Sequence, residues 1–301
     1  MIWKTYRVVL RLRSPLHIGA GKVGNVQRTR PYVTGRVLWG ALTERLTRDR
    51  SQGQGPATDS QQYANVGQEV HERLAFTYLY PTTCQDGVVE LWPWDDGFRP
   101  LYLSTYASTA LTYPQQSAAE GTLHEVECIV PHTLDNGAPV YLAGYVFAQD
   151  NAPDWKSALK RLQLGGERGY GWGRVEPVSK PAPWNKQSLF DGSYNVEPGA
   201  WPPVLTAVKK THLLAHALAA DFDKAYKAVT GVDGEIEPLV GREVDPTDGR
   251  FGVHLSRARI CYAPGARVEE ATQVRIGPYG VWERCPEPRP ESDEGPAEGA
   301  P

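Results

Sequence analysis

The apolar positions of the first thirteen residues, MIWKTYRVVLRLR, alternate with basic ones: Ile2, Tyr6, Val8, Leu10 and Leu12 against Lys4, Arg7, Arg11 and Arg13. A period of two predicts a strand with one buried face. Over residues 37–48, VLWGALTERLTR, the spacing becomes helical. Val37, Leu38, Ala41, Leu42 and Leu46 share one face, and Glu44 and Arg48 stand at i,i+4. The polar stretch RDRSQGQGPATDSQQ then predicts a loop or the start of an insertion. From Leu74 onward short strand-like runs recur: LAFTYLY, VVELWPW, PLYLSTYA, HEVECIV and VYLAGYVFA, with turns such as Gln85-Asp86-Gly87 and Asp135-Asn136-Gly137 between several of them. A second amphipathic helix fits residues 153–163, PDWKSALKRLQ, with Trp155, Leu159 and Leu162 inward and Pro153 near its first turn.

This order of strand, helix, strands, strand, helix and strand is the β-α-β-β-α-β plan of an α+β, ferredoxin-like domain. It predicts one such domain over residues 1–180 with an insertion around 49–135, followed by a Pro-rich connector at 181–203. Residues 204–284 read as a second α+β half or an extension of the first sheet, with a helix at 204–229 and strands near 252–262 and 272–283. The last stretch, CPEPRPESDEGPAEGAP at 285–301, is acidic, proline-rich and nearly free of apolar residues, which predicts disorder.

Composition narrows the class. The 301 residues are 41% hydrophobic and 22% charged, ordinary for a globular chain. No run of eighteen apolar residues occurs, and the start does not form a signal-peptide core, so a cytoplasmic protein without a membrane partner is expected. Cys84, Cys128, Cys261 and Cys285 form no CxxC pair and suggest neither a disulfide framework nor a zinc ribbon. The net charge of −3 hides an asymmetry: residues 1–50 hold eleven Lys/Arg against two acids, Glu44 and Asp49. Such a patch attracts a polyanion by Coulomb forces and counterion release, unless acids elsewhere in the fold balance it.

Two glycine-rich segments carry the candidate chemistry. In LHIGAGKVG, Gly19, Gly21 and Gly24 have the spacing of G-x-G-x-x-G. A dinucleotide site also needs a helix opening on the glycines and an acid about twenty residues later. Here NVQRTRPYVTGR follows, polar and interrupted by Pro31, so no nucleotide cofactor is expected. In LGGERGYGWGRV, residues 164–175, five glycines (Gly165, Gly166, Gly169, Gly171, Gly173) interleave with Arg168, Tyr170, Trp172 and Arg174. Missing Cβ atoms let a backbone approach a partner closely, arginines fork onto phosphates, and aromatic rings stack on bases. That combination suits single-stranded nucleic acid; the plainer alternative is a tight connection with a basic rim.

The segments SPLHIGAG (14–21), RPYVTGRVLWGALTERL (30–46) and LGGERGYGWGRV, in this order, resemble the RAMP superfamily of CRISPR effector subunits, with a weaker echo in GREVDPTDGRFGVHLSRARICYAPG. The resemblance spans about residues 1–180. It implies a ferredoxin-like RAMP fold and a crRNA-binding subunit of a surveillance complex of type III or a related type. Its partners would be crRNA, through it target nucleic acid, and other effector subunits. On this reading His17, Gly19, Gly21, Lys22, Arg28, Arg30 and Arg36 contact RNA from the first loop, and Gly165, Gly166, Arg168, Gly169, Tyr170, Trp172 and Arg174 from the second. Backbone-forming type III members cut RNA with an aspartate before the first helix. This chain has Gln27-Arg28-Thr29-Arg30-Pro31 there, and Thr29 supplies no carboxylate for a metal or a proton. A non-cleaving subunit gripping the guide backbone or 5′ handle is therefore expected, with neither metal nor cofactor.

The alternatives are a metal-independent crRNA-processing endoribonuclease with His17 as general acid/base, and a purely architectural subunit. Among weaker groupings, Pro131 ends the strand that would align His124, Cys128 and His132 on zinc, and His212 and His216 read as one face of a helix. Glu243, Asp245 and Asp248 suit a salt-bridged turn better than a metal loop.

Overall fold

The structure, a computed structural model, describes residues 3–52, 57–114, 116–222, 225–244 and 251–285. The first part of the chain runs β1 (Trp3–Leu12), β2 (Gly19–Val23), β3 (Val26–Thr29), α1 (Gly35–Arg50), α2 (Ser60–Arg73), β4 (Leu74–Phe76), β5 (Tyr80–Thr82), α3 (Phe98–Tyr102), β6 (Leu103–Ser108), β7 (Leu111–Thr112), β8 (Ser117–Ala118), β9 (His124–Ile129), β10 (Tyr141–Gln149), α4 (Trp155–Ala158) and β11 (Val175–Pro177). The second runs β12 (Ser188–Leu189), β13 (Tyr194–Glu197), β14 (Val204–Ala207), β15 (Ala217–Leu218), β16 (Val232–Asp233), β17 (Ile236–Leu239), β18 (Arg242–Val244), β19 (Phe251–Leu255), β20 (Arg259–Tyr262), β21 (Arg267–Val268), β22 (Thr272–Ile276) and β23 (Trp282–Arg284). The chain is α+β, as expected.

A central antiparallel sheet has the order β11-β1-β10-β4, with β5 also on β10. Strand β10 is buried along its whole length, because both of its faces are covered. On one face Leu142, Val146 and Ala148 join Val8, Leu10 and Leu12 of β1 under Leu38, Leu42 and Leu46 of α1, Val66 and Val70 of α2, and Trp155 of α4. On the other, Ala143, Tyr145 and Phe147 meet Leu189, Tyr194, Leu205, Leu213 and Trp282. All of the latter but Leu213, which precedes β15, belong to a second sheet, ordered β12-β13-β14-β22-β23-β15-β20-β17. Helices, sheet and sheet thus stack in three layers. A four-stranded sheet, β2-β3-β9-β6, lies beside them.

Strand β1 and helix α1 fall where the periodicity placed them. Thr34 caps α1 by accepting from the Val37 N–H, and the Glu44 and Arg48 side chains meet at 3.0 Å. Several expectations are corrected. The first glycine segment is a β-hairpin rather than a loop, with β3 pairing in parallel with β9. The polar stretch after α1 leads into a second helix, α2, capped by Asp59. VVELWPW forms no strand: Trp92 and Trp94 stack with centroids 5.4 Å apart, and the Asp95 carboxylate accepts from the Trp92 N–H to close a turn. In PLYLSTYA the first half is α3 and only the second half a strand. The helix expected over 153–163 has four α-helical residues, from Trp155, followed by a 3-10 turn to Arg161.

No α-helix occurs among the described residues of 204–229. Its backbone is drawn into long-range pairing instead: Leu213 N–H donates to the Ala266 carbonyl, and Trp282 N–H to that of His216. The described part of 204–284 is strands and turns, without the helices of a second ferredoxin-like half, and its sheet stacks on the first rather than extending it. Residues 181–203 carry β12 and β13. The tail beyond Cys285 lies outside the described residues. No helix among the described residues is long and apolar enough to cross a membrane.

Candidate nucleic-acid interface

The two glycine segments come together. His17 is only 6% exposed, and its Nδ1–H donates to the Glu127 carbonyl at 2.8 Å. The carbonyl of the same His17 accepts from Gly166 N–H at 2.8 Å, and Pro15 O from Gly173 N–H at 2.7 Å. Backbone bonds therefore stitch the second segment onto the entry of the hairpin. Gly165 and Gly173 have φ of 73° and 76°, and a Cβ on either would strike the His17 or Leu164 carbonyl. Internal packing demands these two glycines. Gly21, Gly169 and Gly171, in contrast, have open space around them.

The basic residues divide into two groups. Arg28 Nε donates to Glu127 Oε2 at 2.9 Å, and Arg99 to its other oxygen at 2.5 Å. Arg30 grips both Glu237 oxygens at 2.8 Å. Arg168 pairs with Glu44. Lys22 and Arg174 are exposed and carry no ion pair among the described residues, while Arg36 lies over the Tyr279 ring at 5.3 Å. Of the two aromatic candidates, Tyr170 is 81% exposed. Trp172 instead packs on Val126 and Cys128, edge-on to Tyr106 at 5.9 Å, and so anchors the loop.

Arg30 leads into a buried chain of polar groups. Carboxylates only accept, so Nε2–H of His216 donates to Glu237 Oε1 at 2.6 Å, and Nδ1 accepts from the Tyr78 hydroxyl at 2.7 Å. Burial opposes ionisation of Glu237, yet hydrogen bonds from His216 and Arg30, with the charge of Arg30, hold its carboxyl down at about 2. Burial keeps the His216 imidazole neutral, its pKa lowered despite Glu237. Burial lifts the Tyr32 phenol to about 12 against the pull of Arg30. His216, expected on a helix face, thus ties the base of the hairpin to the second sheet.

Above this chain opens a cleft of about 1010 Å³. Gly19, Arg30, Arg36, Gly165, Gly166 and Arg168 line it, six of the fourteen residues singled out from the sequence. The second sheet contributes Arg259, the segment leading into it Arg257, and neighbouring turns Phe222 and Tyr279. Sequence reasoning passed over these four; the available signal was the alternation of arginines in SRARICY. His17, Gly21, Lys22, Arg28, Gly169, Tyr170, Trp172 and Arg174 lie outside the lining. Among the described residues no group of three His, Cys, Asp or Glu side chains could hold a metal ion. His124 Nδ1 donates to the Thr122 carbonyl, and Cys128 is buried against Trp172. Asp245 and Asp248 lie outside the described residues.

No family model and no curated protein matches the chain. Among solved structures, a chain of the Type III-B Cmr-beta bound to cognate target RNA and AMPPnP, state 1, is 13% identical with a TM-score of 0.48, covering 87% of this chain and 85% of that one. A chain of the Type III-B Cmr-beta bound to cognate target RNA is 12% identical with a TM-score of 0.46, covering 87% and 86%.

Proposed function

We propose that this chain is a non-catalytic crRNA-binding subunit of a type III CRISPR effector complex, holding the guide backbone or 5′ handle in the cleft. The observation that carries the reading is the joining of two glycine segments by the His17–Gly166 bond at the edge of an arginine-lined opening. Glycine backbones allow close approach, and guanidinium groups bind phosphate oxygens in pairs. The RAMP resemblance of residues 14–46 and 164–175 supplies the identity of the RNA. The β11-β1-β10-β4 order, with helices on one face, supports a ferredoxin-like RAMP domain over residues 1–180. Target selection would come from base pairing by the guide, not from this protein.

The absence of cleavage is supported by the end of β3, where Thr29 stands in place of a carboxylate. Its hydroxyl accepts from the Ile18 N–H at 2.8 Å. Anisotropy of a labelled single-stranded RNA across salt tests the reading. With three to five phosphate contacts, affinity falls about ten- to hundredfold between 50 and 200 mM salt, at about 0.7 logarithmic units per contact. Salt-independent binding, or none, removes the proposal. Recovering the RNA intact after metal-free incubation separates it from a ribonuclease using His17.

A further inference from the structure

We propose that the second sheet, rather than the glycine segments, supplies the principal phosphate grip of the cleft. In this arrangement Arg257 and Arg259, together with Arg36, hold the sugar-phosphate backbone of single-stranded RNA. The inference rests on the RNA-binding reading above and names the residues that do the holding.

Charge state is the first ground. Of the cleft-lining arginines, Arg30 is committed to both oxygens of Glu237, and Arg168 to Glu44. A phosphate reaching either one competes with a carboxylate already in place. Arg36, Arg257 and Arg259 line the same cleft and, among the described residues, pair with no carboxylate. Against these three cations the cleft lining holds, among the described residues, one acid outside an ion pair, Glu243, so the charge offered to a ligand is positive and lies toward the second sheet.

Orientation is the second ground. The Cζ atoms of Arg257 and Arg259 lie 4.9 and 5.0 Å from the centroid of the Phe222 ring, and Arg259 is also 5.3 Å from that of Tyr226. Arg36 rests on Tyr279 in the same way at 5.3 Å. A guanidinium lying over a ring presents N–H donors along its edge while losing rotational freedom, although Arg36 directs one of its donors at the Arg242 carbonyl, 3.5 Å away. It is therefore pre-organised to fork onto phosphate oxygens. Arg257 and Arg259 stand two residues apart at the entry to β20, which suits contacts to a chain running along the strand. Phosphate contacts of this kind read no bases, so the ligand class is an unpaired RNA backbone of any sequence.

The test is the salt dependence of binding of a labelled oligouridylate to the full chain. The double variant Arg257→Ala/Arg259→Ala is expected to bind about tenfold more weakly at 100 mM salt, with the slope of log affinity against log salt reduced by about 1.4. Arg28→Ala/Arg168→Ala is expected to change the slope by less than about 0.5, its cations being already neutralised. Arg257→Lys/Arg259→Lys controls for folding: retention of the wild-type slope supports a phosphate grip, and its loss shows that the arginines act through packing on Phe222, overturning the proposal. An unchanged slope in the alanine pair, or a larger loss in Arg28→Ala/Arg168→Ala, also overturns it while leaving RNA binding itself standing. Absence of salt-dependent binding by the wild-type chain would instead remove the RNA reading and this grip together.

Discussion

The two sides of the cleft hold the same kind of side chain in opposite states. On the glycine side, Arg30 and Arg168 are paired with Glu237 and Glu44, and Arg28, outside the lining, with Glu127. On the second-sheet side, Arg257 and Arg259 rest on aromatic rings and, among the described residues, pair with no carboxylate. The basic excess of the first fifty residues is thus largely cancelled in space, partly by acids about 100 and 200 positions away. Charge counted along a sequence measures long-range attraction to a polyanion, whereas charge left unpaired by the fold measures what a phosphate can bind. On the glycine side the cations are held by acids of the fold, whereas on the second-sheet side they rest on rings.

The sharpest test of that contrast is Glu237. Arg30 is 16% exposed and Glu237 30%, so Glu237→Gln leaves a largely buried guanidinium without its counter-charge. A loss of about 3 kcal/mol is expected from the urea midpoint. The pH dependence has a definite sign. The carboxyl is held at about 2 in the fold against an ordinary 4.5, so its stabilisation is complete above pH 4.5 and disappears as pH falls toward 2. His216, kept neutral by burial, adds in the same direction below its ordinary 6.5, because protonation in the fold is disfavoured. Glu237→Gln should therefore flatten the acid limb of the stability curve between pH 4.5 and 2. A variant as stable as wild type, with an unchanged acid limb, would mean that Arg30 is not committed and that the two sides are alike.

A smaller effect separates two glycines of one loop. Gly173 and Gly171 both have positive φ, 76° and 83°, so alanine costs each about 1 kcal/mol in backbone strain. At Gly173 the new methyl would also meet the Leu164 carbonyl, while at Gly171 it meets nothing. Gly173→Ala is expected to be less stable than Gly171→Ala by about 2 kcal/mol in thermal or urea unfolding. Equal losses would show that the loop yields, and that its join to His17 is not what fixes this side of the cleft.

These outcomes follow how legible each part was. Strand β1 and helix α1 could be read because each buries one face at a regular period. Helix α2 could not: only Val66, Gly67 and Val70 are buried in it, too few to mark a stripe. The 204–229 segment has a helical spacing that loses to backbone partners 53 and 66 residues later, since Leu213 bonds to Ala266 and His216 to Trp282. At the site, the two glycine segments announced themselves by composition. The pairs Arg28–Glu127 and Arg30–Glu237 did not, because a single sequence does not show contacts between residues 99 and 207 positions apart. For the same reason Arg257 and Arg259 looked like ordinary strand residues.

The mildest test restores charge to the glycine side. Glu44 is shared by Arg168 and Arg48, and Arg168 is 44% exposed, so solvent screens the pair and Glu44→Gln should change stability by less than about 0.5 kcal/mol. Its effect on RNA is of the opposite sign to that of an arginine deletion. Removing the carboxylate frees the Arg168 guanidinium at the edge of the cleft, so one more phosphate can be engaged. The salt slope should steepen by about 0.7, with affinity rising a few-fold at low salt. A steeper slope would show that the glycine side is quiet because its own acids hold it so. If Glu44→Gln leaves the slope where it was, Arg168 does not reach the RNA even when free, and the difference between the two sides is one of position rather than of pairing.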